Sequence, residues 1–99
     1  MTSAPRGPES DEFVRRLRAF TVASWRHGDR IARARLALAE LAALAARAEG
    51  RPIPPVPDLG PHVLADQVVV LAADARRAGV PTGEVDRVII GLRAGLGLR

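Results

Sequence analysis

A chain of 99 residues has room for one small domain with a modest core. A hydrophobic content of 47% excludes a wholly disordered chain, and an aromatic content of 3% requires any core to be built from Ala, Leu and Val. The absence of Cys excludes disulfides, thiolate metal sites and Cys nucleophiles, and the net charge of +4 permits an acidic partner without requiring one.

All 15 basic side chains are Arg. Arg suits bidentate contacts to phosphate or carboxylate. Here Ala, Gly, Pro and Val rise with it, as they do in GC-rich genomes, so composition is the preferred explanation. The opening MTSAPRGPES has no apolar h-region, and no apolar run approaches the ~20 residues of a membrane span. A cytoplasmic protein without a membrane association is expected.

Residues 1–10 are small, polar and Pro-rich and are expected to form a disordered tail, leaving residues 11–99 as a single helical domain. Ser10 can cap a helix that starts near Asp11, with Asp11 and Glu12 at the positive end of its dipole. Phe13, Leu17 and Phe20 recur at helical spacing, with Trp25 to the side of that face. Gly28 is the first interruption. Ile31 follows Phe13, and Leu38 follows Phe20, by about five helical turns, so the apolar phase runs through the Gly. The residues from Ile31 to Ala48 are almost all Ala, Leu, Arg and Glu, strong helix formers. The preferred expectation is one long helix from about Asp11 to about Glu49, with Gly28 the place where it can kink. If Gly28 breaks it, the first segment folds back into a compact four-helix monomer with the aromatics as core.

Gly50 is suited to end this helix. RPIPPVPDLGP then reads as an extended polyproline connector, with Ile53 and Val56 expected to tuck against the helix. Pro61 opens a helix expected from His62 to Ala78, with Leu64, Val68, Leu71 and Ala75 inward. Gly79 and Pro81 end it. Thr82 is expected to cap a last helix to about Ala94, with Val85, Val88, Ile89 and Leu92 inward and a fraying end at Gly95 and Gly97. The fold expected is all-α: a long N-terminal helix, a Pro-rich connector and a C-terminal helical hairpin.

A continuous first helix spans ~57 Å, more than two helices of ~25 and ~18 Å can cover. Its first half would then expose every aromatic in the chain. That reasoning makes Phe13, Leu17, Phe20 and Trp25 an interface with a second copy or with another protein.

The chain offers little chemistry. His27 and His62 share no ligand spacing, and Asp66 and Asp74 lack any sign of a cleft or partner group. No phosphate loop and no nucleophile elbow is present, so no enzyme activity, metal or cofactor is expected. Arg15, Arg26, Arg30 and Arg33 form a basic stripe if the helix is continuous, with Arg18 at its edge. Such a stripe could neutralise phosphates, but it is more often the solvated face of an amphipathic helix, and the partial balancing by Glu12 and Asp29 makes that the preferred expectation.

One local pattern is sharper. In ADARRAGVPTGEVDRVIIGL, residues 73–92, the positions Ala75, Arg76, Ala78, Gly79, Val80, Val85, Arg87 and Val88 stand at the spacing of a small-residue turn between two helices. The segment resembles the helix-turn-helix of the lactose-repressor family of transcription factors. The resemblance covers about a fifth of the chain. It implies a recognition helix from Thr82, with Thr82, Gly83, Asp86 and Arg87 toward bases. Asp74 stands where that motif is apolar, and Glu84 and Asp86 would meet phosphates. The preferred expectation is a small non-catalytic interaction protein, a homodimer or a subunit or adaptor of a larger bacterial assembly. A small helix-turn-helix DNA binder is the alternative.

Overall fold

The computed structural model describes residues 11–98, and the expectations of a disordered tail and a Ser10 cap lie outside them. Among the described residues every regular element is helical: α1 (Asp11–Arg18), α2 (Val22–Trp25), α3 (Arg30–Ala48), a 3-10 turn (Pro61–Val63), α4 (Leu64–Arg77) and α5 (Thr82–Gly95). The all-α expectation holds. A long helix in the N-terminal half, α3, is followed by the Pro-rich connector and a C-terminal pair of helices.

The continuous helix from Asp11 to Glu49 is not formed. The chain breaks twice, and each break has a local cause. After α1, Thr21 competes for the backbone: its Oγ1 accepts the Ser24 N–H at 3.0 Å and starts α2 as an N-cap. After α2, Gly28 takes φ 60°, a left-handed conformation that no helix continues through. The agreement in phase between Phe13 and Ile31 was therefore accidental. Breaking the helix sacrifices a few hydrogen bonds worth about 1 kcal/mol each. In return Phe13, Leu17 and Trp25 become 0–2% exposed, at ~1.5–3 kcal/mol for each large side chain buried.

α3 is the centre of the packing; α4 and α5 both lie on it, and α1 folds onto α4. Its Ala34, Ala37, Leu38, Leu41 and Ala45 face the others, and the small alanines allow close approach. The expected stripes are inward on the last two helices. Leu64, Val68 and Ala75 of α4 and Val85, Ile89 and Leu92 of α5 are buried, with Leu71 and Val88 packed at the edge.

α3, α4 and α5 all end in the same way. A glycine at positive φ (Gly50 65°, Gly79 91°, Gly97 74°) turns the chain. The next N–H then bonds back into the last turn: Arg51 to Ala46 O, Val80 to Ala75 O, Leu98 to Arg93 O. This corrects the expected fraying. Leu96 and Leu98 are buried, because the Gly97 turn delivers Leu98 back onto the core. Thr82 is the first helical residue and not the cap, a role that falls to Pro81.

Candidate functional site

The residues expected to form an interface lie in the core. Phe13 (1% exposed), Leu17 (0%) and Trp25 (2%) are sealed within the chain. Phe20 is half-buried; its ring meets Trp25 edge-on with centroids 4.9 Å apart, and the Arg30 guanidinium lies over the ring at 4.9 Å. Arg93 covers Phe13 in the same manner. The expectation that this aromatic face is presented to another chain is thus overturned. Its premise was a helix too long to be covered, and the two breaks remove that length.

The basic stripe falls with the same premise. Arg15 sits on α1 and Arg26 just after α2, while Arg30 and Arg33 belong to α3. Two of the four are engaged locally. Arg30 donates to Ser24 O at 2.9 Å, and Arg33 donates to Asp29 Oδ2 at 2.9 Å. That bond holds the Asp29 carboxyl below its ordinary range.

The segment 73–92 folds as helix, turn, helix. Ala75, Val80 and Val85 are buried at the crossing, and Gly79 supplies the left-handed turn. Thr82, Gly83 and Arg87 face solvent on α5, whereas Asp86 is turned toward α4 and bonds Arg76 at 3.0 Å.

The remaining candidates stay apart. His27 and His62 are both exposed. Asp66 pairs with Arg18 at 2.9 Å, and Asp74 pairs with Arg77. Among the described residues, no three His, Cys, Asp or Glu side chains gather as a metal-holding group. No helix among them is long and apolar enough to cross a membrane.

A different surface stands out. Between the connector and α4 lies an open groove of about 370 Å³, with Ala42 of α3 as its floor. One wall is the connector, through Pro54, Pro55, Val56, Pro57 and Leu59; the other is α4, through Gln67 and Val70. Leu59 and Val70 are each 55% exposed. The helices' backbone groups are paired internally and the connector's prolines have no N–H to give, so backbone hydrogen bonds do not fasten the connector to them. It is tethered at three points instead. Gln67 Nε2 donates to Pro57 O at 3.1 Å, Arg35 donates to Val56 O at 3.5 Å, and Arg35 pairs with Asp58 at 3.4 Å. Val56 is half-buried as expected; Ile53, expected to tuck in, is 51% exposed because no tether reaches its part of the connector.

Val70 is not among the expected contact residues, although its neighbours carry a signal for it. Successive residues on a helix turn by about 100°, so three consecutive valines cannot all face inward. With Val68 on the core stripe, Val70 has to point away from it. The groove itself depends on how far the connector stands from α4, which no local pattern encodes. No family model matches the chain, no curated protein is significantly similar to it in sequence, and no solved structure is significantly similar to it in fold.

Proposed function

We propose that the chain is a small non-catalytic interaction module that receives a partner protein in the connector groove, as a subunit or adaptor of a larger assembly. One observation carries this reading: a concave apolar surface of about 370 Å³ with two large aliphatic side chains, Leu59 and Val70, held in solvent at its rim. Apolar side chains clustered around a concavity are costly to leave in water and typify contact sites. Photo-crosslinking in cells tests it, with a photoreactive residue at position 70 and a control at the exposed position 32 on α3. A discrete adduct from position 70 alone, lost in Leu59→Glu, is the expected result. An adduct of two chains identifies the partner as a second copy. Equal adducts from both positions, or none from position 70, sink the reading.

The second reading is a helix-turn-helix DNA binder, favoured by the buried Ala75, Val80 and Val85 at the α4–α5 crossing and by the exposed Thr82 and Arg87. Its weakness is electrostatic, because Asp86 and Glu84 share the first turns of α5 with Arg87. Fluorescence anisotropy with mixed-sequence duplex DNA at two salt concentrations decides the matter. Salt-sensitive binding abolished by Arg87→Ala supports this second reading, and salt-insensitive or absent binding removes it.

A further inference from the structure

We infer that the groove selects one kind of partner segment: apolar side chains flanked by a cationic, hydrogen-bond-donating residue such as Arg. The inference rests on the groove being the recognition surface and concerns what the groove accepts.

Among the residues lining the groove the only charge is the Asp66 carboxylate, and the only other polar side chain is Gln67. Gln67 commits one of its two Nε2 donors to Pro57 O, and its Oε1 is buried without a hydrogen bond among the described residues. Pro54, Pro55 and Pro57 can contribute carbonyls but no N–H. Apart from the buried Oε1, the lining still holds more acceptors, in its backbone carbonyls and the Asp66 carboxylate, than donors. An apolar segment that also brings acceptors would leave its own groups unpaired, whereas one that brings donors would not.

Asp66 shows the mode. Its Oδ1 accepts from Arg18 Nε at 3.2 Å and from Arg18 Nη2 at 2.9 Å. Among the described residues no hydrogen bond falls on Oδ2, and the side chain is 63% exposed. Asp58, next to the wall residues Pro57 and Leu59, is similar. Its Oδ1 accepts the Gly60 N–H and faces Arg35, and its side chain is 71% exposed against 33% for that Arg. Asp66 in the lining and Asp58 beside it thus each present a carboxylate oxygen outward. An exposed pair such as Arg18–Asp66 is weak, so a partner guanidinium can exchange with Arg18 or add to the unused oxygen at little cost.

Two acetylated, amidated octapeptides test this, RLAALLAR and ELAALLAE, titrated separately into the ¹⁵N-labelled full chain. The expected result is that RLAALLAR shifts the amides of Val63, Gln67 and Val70 and binds about tenfold more tightly than ELAALLAE, the worth of one charge-assisted hydrogen bond. This preference would run against the chain's net charge of +4, which favours the acidic peptide. In Asp66→Asn the preference should collapse to about twofold, roughly the loss of that bond. In Arg18→Ala, which removes the internal competitor, RLAALLAR should bind more tightly than to the wild type. Equal binding of both peptides in the groove overturns the selectivity and leaves the groove as the recognition surface. Shifts confined to other faces, or no shifts with either peptide, overturn both.

Discussion

Two apolar regions of this chain compete for the role of contact surface, and the fold treats them oppositely. The segment from Phe13 to Trp25 holds every aromatic residue and is the greasiest stretch before α3, yet three of its four large apolar anchors are sealed inside. The connector and the outer face of α4 are milder in composition, yet Leu59 and Val70 remain more than half exposed. Hydrophobicity along the sequence measures what gains from burial. It does not measure what is left uncovered once the strongest claims have been met. Large aromatic side chains gain most from burial; the connector, whose prolines have no N–H to give, is held by side-chain tethers and keeps Leu59 in solvent.

Truncating one side chain from each region should have very different costs. Trp25→Ala should destabilise the chain by ~3–5 kcal/mol, measured by chemical denaturation, because it removes a core ring and half of the Phe20–Trp25 contact. Val70→Ser should change stability by no more than about 0.5 kcal/mol, as expected of a surface position. A small loss at Trp25 would mean that the aromatic segment is not core, and the interface reading would return.

Gly28 provides a test of sign. A Cβ at this position would meet nothing within 4 Å, so the cost of Gly28→Ala lies in the backbone alone, at φ 60°. Placing Ala in a left-handed conformation costs ~1–2 kcal/mol. In a continuous helix the same substitution would stabilise by ~0.5–1 kcal/mol. Equilibrium urea unfolding of the two proteins should show the loss, and a gain would restore the long helix.

How much could be read from the sequence follows from where the signals are local. α3 was legible because nearly every residue in it favours helix, and the ends at Gly50 and Gly79 were legible because each glycine is followed by the residue that closes the turn. The inward stripes of α4 and α5 were legible from spacing. What misled was a competition between a continuous apolar phase and two weak local preferences, a Thr able to cap and a Gly able to turn. The tertiary burial of Phe13, Leu17 and Trp25 decided that competition. No window of sequence contains that term. The C-terminal leucines failed for a related reason, since glycine richness reads as fraying unless the core onto which Leu98 closes is known. The candidate groove was hardest to see, because it is a gap between elements.

The smallest effect is also the most specific to the new boundary. Asp29 sits at the start of α3 and makes no capping bond to it; its carboxylate instead accepts from Arg33 Nε one turn on. That hydrogen bond, together with the nearby guanidinium charge, lowers the carboxyl's pKa in the folded chain. A depressed folded pKa means that the unfolded chain binds the proton more readily. The stabilisation is therefore present above the ordinary carboxylate range and is lost as the pH falls through it. Asp29→Asn should melt slightly below the wild type at neutral pH, and the two should converge in acid. The pair is exposed to solvent, so the gap should also shrink in high salt. A gap that persists unchanged from neutral pH into acid would show that Asp29 holds the start of α3 by something other than its charge.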